Sequence, residues 1–271
     1  MTKLLTSYEE HYKMCRELYT GNVDNMRYSS LYDVVVDKAL LDLDERYYDV
    51  VKKISQKCSK MFDTREGCFE DTHAIRLNDW YQIYELEELA RIVMPQLEEK
   101  VFHSNLKVEF VHPYRNKIVQ CDPSTSWVWH YDDCPKEFIK FFLHLNDVNE
   151  DNGCFQYITK HNNITPVIPS ARFSPWHRGK QVYANSRIPR HVVDSIINNG
   201  GRANSFTGSR GSYAVLTPNI MHRATVPKVG TIPRDIIVFF IRPSLEKDAS
   251  YILGKADSYK PERNVKQYVL D

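Results

Sequence analysis

The spacing of apolar positions changes part-way along the chain. Between residues 79 and 100, Ile83, Leu86, Ala90, Val93 and Leu97 recur at three- and four-residue intervals, which places them on one stripe of an α-helix. Asp79 stands where an N-cap belongs, and Pro95 predicts a kink in the last turns. Residues 31–58 also lean helical, whereas 62–78 read as turn-rich. Beyond residue 100 the pattern becomes that of strands. Residues 137–145 form a strand-like apolar run, 146–153 are dense in Asn, Asp and Gly, and 154–158 resume as a strand. Two further runs, 211–218 and 235–242, complete the set. Residues 163–210 carry Pro166, Pro169, Pro175 and Pro189 and read as a long loop, with a short helix predicted at 191–197.

Among the strand-like segments, 126–133 holds the candidate chemistry. His130 and Asp132 are two apart, so they share a face and can reach one metal ion only if the chain is extended there. His222, far along the chain, would supply the third ligand from another strand. Two imidazoles and one carboxylate make a facial set suited to Fe(II), with positions left open for substrate chemistry. With 10 His and 35 acidic residues in 271 positions, about one His-x-acid triplet is expected by chance. The surrounding order of strands, turn and Arg234 therefore has to carry the case. Arg234 stands at the entrance to the 235–242 strand.

In that order and spacing, over about residues 100–245, the chain resembles the Fe(II)/2-oxoglutarate-dependent oxygenases, and within them the phytanoyl-CoA dioxygenase-like branch. The resemblance implies a mainly β fold with flanking helices (α+β), built on a double-stranded β-helix of the jelly-roll, cupin-like kind. It implies Fe(II) at His130, Asp132 and His222, and 2-oxoglutarate held by a basic residue shortly after the distal histidine, a position Arg234 matches. With O2, the implied reaction is hydroxylation of a small molecule with release of succinate and CO2. Asp132 separates the chain from related halogenases, which carry a small residue there. It departs from the pattern at Ala224, where a small hydroxyl residue is usual, and at residues 159–161, Thr-Lys-His in place of Gly-Ser-His. Two other readings remain open: a cupin-like metalloenzyme that needs no 2-oxoglutarate, and a non-catalytic jelly-roll binding protein.

A chain of 271 residues with 42% hydrophobic content can bury one full core. A single domain is expected: a mostly helical part over 1–100 packed on a β core over 101–245, then a tail over 246–271. The formal net charge of +1 gives no reason to expect nucleic-acid or membrane binding through bulk charge. No stretch reads as a signal peptide or membrane span, which predicts a cytoplasmic location. The six cysteines are scattered and are expected to be reduced. Nothing in the sequence bears on oligomeric state.

Charge is uneven in one place. Residues 163–210 carry seven basic residues against the single acid Asp194, so this insert is expected to act as a lid that binds an anionic substrate through Arg178, Arg187 and Arg190. Asp133 and Arg223 are expected to face away from the metal and His144 to be a packed core histidine; Lys140, as a strand lysine, is expected to face solvent, with a place inside the barrel helping to hold a carboxylate as the alternative.

Overall fold

Helix α2 (Glu45–Thr64) starts where the Asp44 carboxylate accepts from the Tyr47 backbone N–H at 3.2 Å, and it stops at Arg65, whose φ of 63° is left-handed. Tyr47, Val50, Val51, Ile54, Cys58, Met61 and Phe62 are its buried residues, one stripe at helical spacing. They pack with Leu86, Leu89, Ala90, Val93 and Leu97 of α3 (Glu85–Leu97) against a sheet. Burying each Val, Leu, Ile, Phe or Met side chain among them stabilises the fold by roughly 1.5–3 kcal/mol before entropy is counted. A shorter helix, α1 (Tyr8–Glu17), precedes them, and α4 (Arg190–Asn198) lies within the basic insert.

The computed structural model describes residues 8–24, 27–28, 36–119, 123–170, 182–245, 247 and 250–252. Its strands are β1 (Val36–Asp37), β2 (Cys68–Glu70), β3 (Ala74–Leu77), β4 (Asn105–Asn116), β5 (Ile139–His144), β6 (Phe155–Thr159), β7 (Arg202–Phe206), β8 (Tyr213–Leu216), β9 (His222–Ala224) and β10 (Asp235–Ser244). They form a seven-stranded sheet, β1-β8-β5-β10-β4-β3-β2, facing a three-stranded sheet, β7-β6-β9, with antiparallel pairing throughout. This is the jelly-roll core with flanking helices.

Alternation along the major sheet decides what faces what. Ile139, Phe141 and Leu143 of β5, with Ile237, Phe239 and Ile241 of β10, meet the helices. Phe142 of β5 and Ile236 and Val238 of β10 turn instead toward the minor sheet, where they meet Phe155 and Phe206. Both faces of β5 are buried, so Lys140 lies in the interior. The expectation that it faces solvent is corrected, because the second sheet removes the solvent side.

Three further differences have local causes. Residues 62–78, read as turns, hold the end of α2 and the β2–β3 hairpin, and β3 extends the major sheet by pairing with β4. The helix expected from Asp79 begins at Glu85 instead. Residues 80–82 form a 3-10 turn in which Asp79 makes no capping hydrogen bond, and a π turn over Glu98–Phe102 follows α3. The basic insert holds the short helix expected at 191–197, as α4 over 190–198, but the rest is not all loop, because β7 is a core strand of the minor sheet. Ile168, Ile188 and Val193 cover that sheet's outer side together with Trp129, Tyr131 and Ile158. No helix among the described residues is long and apolar enough to cross a membrane. Cys15, Cys58, Cys68, Cys134 and Cys154 are free thiols, and Cys121 lies outside the described residues.

Candidate metal centre

The segment carrying His130 and Asp132 is an extended piece rather than a regular strand, and it is pinned from several sides. Ahead of it, the Ser124 and Thr125 hydroxyls each lie 3.0 Å from a ring nitrogen of His73, with Thr125 held at a left-handed φ of 49°. After it, Asp133 at φ 55° turns the chain away. Asn219 then clamps the far end: its Oδ1 accepts from the Cys134 N–H at 2.9 Å and its Nδ2 donates to the Cys134 carbonyl at 2.8 Å. His130 and His222 exchange both backbone hydrogen bonds at 2.9 Å, so the two imidazoles stand side by side with centroids 4.2 Å apart.

Ligand atoms of His130, Asp132 and His222 all lie within 4.8 Å of one another, and His222 Nε2 is 3.5 Å from Asp132 Oδ2. Each imidazole donates through Nδ1 to a nearby carbonyl, His130 to Val128 at 2.8 Å and His222 to Ile220 at 2.9 Å. Those bonds leave the Nε2 lone pairs aimed at the shared space, the arrangement usual for imidazole ligands. Burial, reinforced for His130 by its histidine neighbour, lowers the two pKa values to about 3 and about 4, so both rings are neutral at pH 7. Burial alone would raise the pKa of Asp132. The charge of Lys140 and the two histidines outweigh it and hold the carboxyl below its usual range. Lys140 Nζ donates to Asp132 Oδ2.

These groups open onto a cavity of about 300 Å³ walled by Phe110, Phe142, Phe155 and Phe240 and reached by Arg76, Lys140 and Arg234. Arg234 is 1% exposed. Its Nη2 makes only long bonds, 3.4 Å to Tyr114 Oη and 3.4 Å to Asn116 Oδ1, and its Nε and Nη1 have no partner among the described residues. A buried guanidinium with two unsatisfied nitrogens costs several kcal/mol unless an anion joins it. The 146–153 turn fixes this corner. Gly153 has φ +90°, a Cβ there would fall 2.6 Å from Asn116 Nδ2, and that nitrogen donates to the Gly153 carbonyl at 3.3 Å.

The other expected site residues fall in different places. Arg187 pairs with His130 in an isolated antiparallel bridge, which puts it in the row of the candidate ligand side chains. Arg190 is on the surface, 91% exposed and 3.6 Å from Asp194 within α4, so it does not reach the cavity; the amphipathic turn of α4 points it outward. Arg178 lies outside the described residues. Asp133 faces away as expected and accepts from Ser170 Oγ at 2.7 Å. Arg223 also turns away, with its guanidinium 3.0 Å from Gln156 Oε1 and 4.5 Å from the centre of the Trp129 ring. His144 is a packed histidine, stacked on Phe206 at 4.2 Å. Ala224 lines the cavity and offers it no hydroxyl.

No protein-family model matches the sequence, and no curated protein matches it. Solved structures do. The epimerase SnoN in complex with Fe3+, alpha ketoglutarate and nogalamycin RO gives a TM-score of 0.54 at 12% identity, over 87% of this chain and 85% of that chain. A second structure of SnoN, from nogalamycin biosynthesis, gives 0.50 at 12% identity over 87% and 84%. HygX from Streptomyces hygroscopicus with nickel and 2-oxoglutarate gives 0.44 at 16% identity over 79% and 85%. At such identities the likeness to SnoN establishes a shared fold.

Proposed function

We propose that the protein is an Fe(II)- and 2-oxoglutarate-dependent dioxygenase that hydroxylates a small molecule and releases succinate and CO2. The observation that carries the reading is the unsatisfied Arg234 guanidinium, buried in the same cavity that His130, Asp132 and His222 face. Three ligand atoms of the facial type fit a divalent cation with open positions. A buried two-nitrogen fork fits the far carboxylate of a dicarboxylic acid. SnoN, of the same fold, was crystallised with Fe3+ and alpha ketoglutarate, which supports that pairing.

In this reading His130 and His222 bind through Nε2, and the Val128 and Ile220 carbonyls keep the required tautomer. Asp132 contributes one negative charge. Arg234 fixes the cosubstrate's distal end, and the phenylalanine walls exclude water from the space between. Iron and 2-oxoglutarate, when bound, supply the oxidising power drawn from O2. The test is succinate formation from 2-oxoglutarate under Fe(II) and O2, screened for stimulation by candidate metabolites, with products identified because SnoN is described as an epimerase. Metal uptake without succinate from any substrate would favour the cupin-like metalloenzyme. Ligand binding that needs no metal would favour the binding protein.

A further inference from the structure

Lys140 is a buried cation whose acidic partner is also a metal ligand. Its Nζ donates to Asp132 Oδ2, the oxygen nearest His222 Nε2, and lies 4.6 Å from the centre of the Phe240 ring. Now let a divalent cation and a 2-oxoglutarate dianion occupy the site as proposed above. The two charges of the metal and the one of Arg234 are balanced by Asp132 and the two carboxylates. Lys140 is left over, beside its cross-strand neighbour Phe240 and its strand neighbour Phe142 on the cavity wall.

Neighbouring cations do not change that remainder. Arg76 is balanced by Asp71 at 2.6 Å. Arg187 adds to it: the guanidinium has no ion pair or hydrogen bond among the described residues, is half-buried, and stands in the row of His130 and His222. Its charge is felt at His130, His222 and Asp132 alike. Two cations without a counter-charge among the described residues thus flank the loaded centre, in surroundings where an unpaired charge is costly.

We infer that Lys140 anchors the primary substrate and that this substrate is a small organic anion, its charged group seated on Lys140 and within reach of Arg187. The inference rests on the dioxygenase reading. It also moves the main anchor for the anion from the insert to the cavity wall, with Arg187 as the insert's remaining contribution. Lys140 has two successive partners: Asp132 while the metal is away, and the substrate's anionic group once metal and cosubstrate are in place.

The test uses full-length protein loaded with Mn(II) and saturating 2-oxoglutarate, and it reads paramagnetic broadening of the methyl proton signal of propionate, with propionamide as the neutral counterpart. Propionate is expected to broaden and propionamide to broaden at least tenfold less at equal concentration. Lys140→Met should lower the propionate effect at least tenfold, and Lys140→Arg should keep part of it. In the same titrations Lys140→Met should leave the 2-oxoglutarate Kd within about threefold and should tighten Mn(II) binding in the absence of cosubstrate, because the competitor for Asp132 is gone. Equal broadening in wild type and Lys140→Met overturns the inference. A tenfold or greater loss of 2-oxoglutarate affinity in Lys140→Met also overturns it, by assigning the lysine to the cosubstrate. Failure of wild-type protein to bind 2-oxoglutarate with Mn(II) defeats the dioxygenase reading itself, and with it this inference.

Discussion

Arg234 is where burial and charge conflict most sharply, since burial pushes its pKa below the usual guanidinium value and no carboxylate among the described residues answers it. Arg234→Ala should therefore raise the 2-oxoglutarate Kd by about a hundredfold, in line with the ~2–3 kcal/mol of a charge-assisted contact. Arg234→Lys should recover only part, because an ammonium cannot reproduce the fork. A Kd unchanged in Arg234→Ala, measured by calorimetry with Mn(II), would remove the arginine from the site. At the metal, His130→Ala, Asp132→Ala and His222→Ala should each abolish Fe(II)-dependent succinate formation and weaken Mn(II) binding while the far-ultraviolet spectrum stays native. Asp133→Ala should leave metal binding intact and act on stability instead, through its lost bond with Ser170. His130 and Asp132 were legible because a separation of two residues has one geometric meaning in extended chain. Lys140 was not, since a lysine between apolar neighbours reads the same whether the far side of its strand meets water or a second sheet. Asn219 and His73 gave no signal at all, because their work is done through bonds to segments distant in sequence.

At the level of elements, the outer helices and the sheet they cover depend on each other. Ile54 is fully buried between α2 and the sheet, so Ile54→Ala should cost ~2–5 kcal/mol. Asp44→Ala, which removes only a cap, should cost ~1 kcal/mol; urea unfolding with an unchanged m-value would check both. The strands β5, β6, β8 and β10 fall inside apolar runs and were readable from them. The strand β7, with the sequence Arg-Ala-Asn-Ser-Phe, was not, because it owes its form to pairing with β6 rather than to its own composition. The β2–β3 hairpin was hidden for a related reason: Asp71, whose side chain accepts from the His73 and Ala74 N–H groups, marks the turn, and the strands on either side are too short to show alternation. Charge counting located the basic insert but not its orientation. Arg187 and Arg190 sit three residues apart on opposite sides of a helix start, one paired with His130 and the other facing water.

Across the whole molecule, buried imidazoles set the response to acid. Burial lowers His112, His130 and His144 to about 3 and His222 to about 4. Histidine in an unfolded chain titrates near ~6.5, so below that pH the unfolded state takes up protons the folded state refuses. Stability is then full above pH 6.5 and falls by up to ~1.4 kcal/mol per pH unit for each histidine as the pH drops toward 4. Glu98, Glu137 and Asp235, whose carboxyls burial raises, offset part of this in the lower half of that window. The urea midpoint should therefore decline steadily from pH 7 to 5, and a flat profile would contradict neutral buried rings. The residues of the site are also divided between the two sheets: His222 belongs to the minor one, while Lys140 lies in the major one and Arg234 stands just before β10, its central strand. Whatever bridges them rivets one sheet to the other, so its binding free energy becomes resistance to unfolding, about 2.7 kcal/mol at a hundred times its Kd. A melting-temperature scan over organic acids, run with Mn(II) and 2-oxoglutarate present, would then rank unknown substrates by how firmly they fasten the halves, without any turnover being observed.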